Sequence, residues 1–238
     1  MILAGDGERV SSTHRAAPMH IYTSDRFVLP LPPGHRFPMA KYRLLHERVQ
    51  ANLGALGASL LDAPRADDAA VLRAHTADYL AKVRDGTLSA AEQRRIGFPW
   101  SPEMAERTRR VSGAMMAALE SAIRGSGVGV NLAGGTHHSS ADHGAGYCIF
   151  NDSVIAARHA QSLGLVRRVL VIDAGSPRNR FAAHMHGVLG NEGVDPADLL
   201  VRGRAEVAGY GVQVIEGSVA RVNLTGHGVR VEATDGAT

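Results

Sequence analysis

The chain has 238 residues and a formal net charge of +3, with 45% hydrophobic and 21% charged residues. That balance suits one large globular domain or two modest ones and excludes a disordered chain. The slight basic excess does not mark a nucleic-acid partner: Lys41 and Lys82 are the only lysines, the arginines are scattered, and no recognition helix or aromatic platform stands out. Cys148 is the only cysteine, which excludes an intrachain disulfide and a Cys-x-x-Cys redox pair. Aliphatic runs such as Val169 to Ile172 are far short of a membrane span, and Met1 to Pro18 lacks the apolar stretch of a secretory signal. A cytoplasmic protein without a membrane partner is expected.

Residues 1–18 are expected to be a disordered lead-in, with Met19 as an alternative start. Met19 to Thr23 is a short β-type run ahead of a Pro-rich loop. Leu44, Leu45, Val49, Leu53 and Leu56 recur at helical spacing. Asp67 to Arg84 is predicted as a second helix, stopped by Gly86. Ser101-Pro102-Glu103 opens a third helix with an N-cap, a first-position proline and an acid in the first turn, running to about Ile123. Gly127 to Leu132 is a predicted buried strand, Asp152 to Leu163 a helix and Arg167 to Asp173 an apolar strand. This alternation predicts a parallel sheet covered on both faces. Beyond Asp173 the pattern changes: Pro196 to Ala208 is an amphipathic helix, and Val212 to Leu224 with Val229 to Ala233 reads as a hairpin turning at Thr225 to Gly228.

Chemistry concentrates between Gly134 and Asp152. Adjacent His137 and His138 after a buried strand suit acid/base work, since imidazole titrates near neutrality and two rings can divide the roles. A bare His-His pair is more often structural. The surroundings change that balance. Gly134-Gly135-Thr136-His137-His138 and Gly146-Tyr147-Cys148-Ile149-Phe150-Asn151-Asp152 closely resemble the signature of the histone deacetylase family, zinc amidohydrolases with an arginase-like α/β fold. Pro33 to Met39, His75 to Tyr79, Gly97 to Trp100 and Arg109 to Gly113 resemble its bacterial branch. The resemblance covers about residues 19–173, the N-terminal half of such a domain.

The resemblance implies that His137 and His138 are the acid/base pair beside the metal. It implies that Gly146 and Tyr147 line the acyl-lysine tunnel, and that Asp173 orients the first histidine through its far ring nitrogen. Substrates would be acetylated lysine or an acetylated polyamine. The family's zinc ligands two and four positions after this aspartate are an Asp and a His; here those positions hold Gly175 and Pro177. The third ligand and the transition-state tyrosine belong to a C-terminal half with no counterpart here. Zinc is thus expected from the family while its ligands are missing, and a catalytically incomplete deacetylase follows. Cys148 reads as a small buried filler.

Residues from about 169 to 238 resemble a second family, the thioredoxin-reductase-like flavoproteins, through Val169 to Asp173 and the loop Pro177-Arg178-Asn179. The Gly-x-Gly-x-x-Gly turn of such proteins is missing, and Gly125 to Gly129 precedes a strand rather than following one, so FAD binding is not expected. His184 and His186 form a weak metal pair without an evident third ligand. The expected architecture is α/β: a truncated deacetylase-like parallel sheet sandwiched by helices (19–173), then a short helix and β-hairpin of a Rossmann-like flavoprotein (174–238). Both families supply a strand reading approximately VLVID, a point at which two genes would join as a chimera. An interrupted sheet exposes a backbone edge, so a homo-oligomer or aggregate is expected.

Overall fold

Strand β2 (Met19–Thr23) is the middle of a three-stranded parallel sheet, with β3 (Ala58–Asp62) on one side and β4 (Gly129–Asn131) on the other. Met19 lies opposite Ala58 and His20 opposite Gly129. These relations come from a computed structural model, which describes residues 2–5, 18–173, 193–198, 200–201, 204, 215–216, 218–225 and 228–234. The chain divides into two compact units, one of residues 11–165 and one of residues 1–10 with 166–238.

In the first unit the helices follow their sequence signals. Helix α6 (Pro102–Arg124) is capped by Ser101, whose hydroxyl accepts the Met104 N–H at 3.1 Å, and Pro102 presets the first turn. It buries Met104, Val111, Ala114 and Ala118, a stripe at helical spacing. Gly129 lets β4 lie directly on this helix: a Cβ there would come within 1.9 Å of the Ala118 carbonyl. Helix α7 (Asp152–Ser162) buries Ile155, Ala156 and Ala160 and packs on α6. The core gathers Val71, Tyr79, Leu80, Val83, Ile96, Phe98, Met104, Phe150 and Ile155. Among the described residues no helix is long and apolar enough to cross a membrane.

Several expectations change here. The helix expected over Asp67 to Arg84 is two helices, α3 (Asp68–Val71) and α4 (Ala77–Asp85). Thr76 is the reason: its backbone is extended (φ −71°, ψ 152°) and its hydroxyl caps α4 by accepting the Tyr79 N–H, so the chain restarts rather than continuing. The Leu44 to Leu56 stretch is α1 (Ala40–Gln50) and α2 (Leu53–Leu56), with Gly57 in the left-handed region as the stop. Helix α5 (Ala90–Ile96) and strand β3 were not anticipated. α5 carries a full capping box, Ser89 with Glu92.

In the second unit, β5 (Arg168–Asp173) pairs antiparallel with β1 (Ile2–Gly5), Ile2 opposite Val171, and parallel with β6 (Ile215–Glu216). Two corrections follow. Part of the segment expected to be disordered, Ile2–Gly5, is a strand, because β5 offers its backbone groups partners. Strand β5, expected in the deacetylase-like parallel sheet, finds its partners in the second unit. Strands β7 (Val219–Thr225) and β8 (Gly228–Ala233) form the anticipated antiparallel hairpin, Thr225 opposite Gly228. Residues 196–198 are helical, as expected at the start of Pro196 to Ala208. Gly175, Pro177 to Asn179, His184 and His186 lie outside the described residues.

Candidate active site

The site is a loop, Ala133 to Asn151, anchored at both ends to buried structure. Asn131 at the end of β4 holds its start: the Asn131 amide donates to the Val111 carbonyl at 3.0 Å, and its oxygen accepts the Ala133 N–H at 3.1 Å. The far end is held by buried His75. Its Nε2 accepts the Asn151 N–H at 2.9 Å, so Nδ1 carries the proton and donates to the Ala141 carbonyl at 3.3 Å. Burial lowers the His75 pKa, which keeps that neutral tautomer in place. Tyr79 donates its hydroxyl to the Ile149 carbonyl at 2.9 Å, and burial pushes its pKa above the ordinary phenol value, so it remains a donor.

His137 and His138 stand side by side, ring centroids 4.2 Å apart and planes 38° off parallel. Both residues are open to solvent. His137 Nδ1 lies 2.6 Å from the Gly135 carbonyl, an acceptor, so this nitrogen carries the proton and Nε2 is the basic nitrogen. Partial shielding of the His138 ring, then the neighbouring His137, lowers the His138 pKa below the ordinary imidazole value. The Gly146 backbone supplies some of that shielding: a Cβ at Gly146 would sit 3.4 Å from the His138 ring.

Tyr147 has φ +65°, the left-handed region, which costs a non-glycine residue ~1–2 kcal/mol. The strain is held by neighbours. The Gly146 and Tyr147 N–H groups donate to the Arg95 and Ile96 carbonyls at the end of α5, at 3.1 and 2.6 Å, and the chain closes tightly between Ala145 and Cys148. The Tyr147 ring packs against Phe37 (5.0 Å) and Phe98 (5.1 Å), with His35 at 6.3 Å, and the residue remains 39% exposed. Gly97 is required beneath it, since a Cβ there would meet the ring at 2.8 Å. The result is an aromatic wall with one accessible face, next to the paired histidines through Gly146. Cys148 is buried and its thiol is pushed up by burial, as a filler would be.

Four of the five anticipated site residues, His137, His138, Gly146 and Tyr147, thus come together. Asp173 is at the end of β5 in the second unit, and its side chain is not among the described ones. His137 Nδ1 is engaged by the Gly135 carbonyl. Sequence reasoning missed Asn131 and Asp152 as supports of the loop. The buried Asp152 carboxylate accepts the Gly135 N–H at 3.2 Å.

Among the described residues the donor set does not fit a catalytic zinc ion. The positions at which the family places an Asp and a His hold Gly175 and Pro177, which offer no ligating side chain. Among the described residues no three His, Cys, Asp or Glu side chains converge on a common point. The cleft of about 360 Å³ beside the loop is lined by Lys41, Tyr42, Leu45, Leu132, Ala133 and Gly134, without a carboxylate or imidazole.

Comparison with known proteins bears on the fold and the family. A solved structure, the crystal structure of the HDA15 HD domain, superposes with a TM-score of 0.50 at 15% identity, over 62% of this chain and 44% of that one. It shows the fold: a parallel sheet flanked by helices as in a deacetylase domain. A curated relative, an uncharacterized protein of Picosynechococcus sp. (strain ATCC 27264 / PCC 7002 / PR-6), is 40% identical over 154 residues, or 64% of this chain. The chain spans about half the length of that relative, 50%. The flavoprotein resemblance of residues 169–238 rests on sequence alone. The family model for the histone deacetylase domain matches residues 35–175, and the chain belongs to the histone deacetylase family.

Proposed function

We propose that this chain carries the acyl-lysine entrance and the paired histidines of a deacetylase-type hydrolase but does not turn over amides by itself. The family reaction is hydrolysis of an acetyl amide on lysine or a polyamine. One observation carries the reading: Gly175 and Pro177 stand where metal ligands belong, while the histidine loop is built and supported. Membership in a family that is in general zinc-dependent supplies the substrate class.

Each retained part has a physical role. The exposed face of Tyr147, backed by Phe37 and Phe98, offers an apolar surface for the methylenes of a lysine side chain. His137 presents Nε2 as a proton acceptor, and His138, held low, remains neutral at pH 7. What fails is the driving force. Bulk water has a pKa about 9 units above that of free imidazole, so two histidines alone generate almost no hydroxide.

The test is metal analysis of the purified chain coupled to a fluorogenic acetyl-lysine assay with added zinc. The expected result is substoichiometric zinc and no turnover above background. Stoichiometric zinc with turnover abolished by His137→Ala would overturn the proposal. A second reading, a binding module for acyl-lysine, is favoured by Tyr147, whose strained backbone keeps an aromatic face open to solvent. Saturable binding of an acetyl-lysine peptide, lost in Tyr147→Ala, supports it; binding that ignores this substitution removes it.

A further inference from the structure

Asp152 is fully buried, yet it does not cap the helix it begins: Asn151 performs that task by accepting the Val154 N–H at 3.2 Å. Asp152 faces the histidine loop instead. Its Oδ2 accepts the Gly135 N–H at 3.2 Å, and its own N–H donates to the Thr136 hydroxyl at 3.3 Å. Two consecutive loop residues are thereby tied to the first turn of α7. Gly135 sits at φ +91°, a conformation that L side chains rarely adopt. That conformation turns the Gly135 carbonyl back to His137 Nδ1, 2.6 Å away. Gly135 thus joins the two groups, its N–H held by the carboxylate and its carbonyl against the His137 ring.

We propose that Asp152 is the positioning residue for His137: holding Gly135 and Thr136, it aims the Gly135 carbonyl at Nδ1, fixes the Nδ1–H tautomer and leaves Nε2 as the basic nitrogen. This assigns to a loop carbonyl and a buried carboxylate the task that the family resemblance gives to Asp173. The buried location is reflected in the acidity of Asp152, pushed up to about 6, chiefly by desolvation. Such a cost is tolerated where the carboxylate orders something else. The inference deepens the acid/base reading of His137, but its readout is independent of turnover, so a chain that hydrolyses nothing still tests it.

The experiment is long-range 1H–15N correlation on histidine-labelled full-length chain at pH 7.5. Wild type is expected to show His137 as the Nδ1–H tautomer. Asp152→Ala is expected to move the tautomer ratio toward Nε2–H by about three- to tenfold, the worth of one lost hydrogen bond. Asp152→Asn, which keeps an acceptor oxygen, is expected to restore most of the wild-type ratio. Thr136→Val, at a partly exposed position, gives a second route if Asp152→Ala does not fold, and is expected to shift the ratio in the same direction. An Nε2–H tautomer in wild type overturns the proposal, as does a wild-type ratio in Asp152→Ala or, where that variant does not fold, in Thr136→Val. A shift in Asp173→Asn larger than that in Asp152→Ala would return the task to Asp173.

Discussion

Helices α6 and α7 bury Met104, Val111, Ala114, Ala118, Ile155, Ala156 and Ala160, whereas α1 of the same unit has no buried residue and leaves Leu44 54% and Leu45 39% exposed. The contrast shows where the unit stores its stability. The histidine loop grows out of the buried region: one end follows β4, which lies on α6, and the other becomes α7. Helix α1 is held at the surface by its partly covered residues, so its apolar positions contribute little.

Three measurements would break or sharpen that contrast. The largest effect is expected for Phe150→Ala, which removes a ring that is 1% exposed and in contact with His75 and Tyr79. A loss of ~3–5 kcal/mol by urea unfolding is expected; a loss under ~1 kcal/mol would mean that the loop end is not part of the core. The second effect is a pH dependence. The Asp152 pKa is raised from 3.8 to about 6 in the folded chain, so the folded state binds the proton more tightly than the unfolded one. Its contribution is fully present below pH ~4 and is lost as pH rises through about 6, a fall of up to ~3 kcal/mol. His75 and His138, whose pKa values are lowered, act in the opposite sense, their share being lost as pH falls. The difference between wild type and Asp152→Asn isolates the carboxylate, and the gap between the two should widen from pH 4 to pH 7.5. A constant gap would contradict the burial of that group. The smallest effect is expected for Leu44→Ala, under ~0.5 kcal/mol by the same unfolding measurement. A loss above ~2 kcal/mol would show that α1 is covered in solution by something that binds it.

Local signals carried most of what the sequence revealed. Ser101, Pro102 and Glu103 marked the start of α6 because cap, proline and acid are neighbours in the chain. The pair His137 and His138 and the Gly146-Tyr147 turn were legible for the same reason: their spacing is short and their residue types are rare together. The supports of the loop were not. Asp152 reaches Gly135 across 17 positions, His75 reaches Asn151 across 76, and Asn131 reaches Val111 across 20, and nothing in the chain's periodicity announces such pairs. Helix α5 is a different kind of omission, because Ser89 and Glu92 form a readable capping box. Strand β3, Ala58–Asp62, has neither alternation nor β-branched residues to reveal it; its pairing with β2 overrides a weak propensity.

The last carbonyls of a helix usually face water. In α5 those of Arg95 and Ile96 are taken by the amides of Gly146 and Tyr147. Fraying of the C-terminal turn of α5 therefore releases the strained tyrosine at the same moment, and that tyrosine cannot relax while the turn is wound. The backbone protons of residues 146 and 147 should accordingly exchange with deuterium at the opening rate of a helix some fifty positions earlier in the chain.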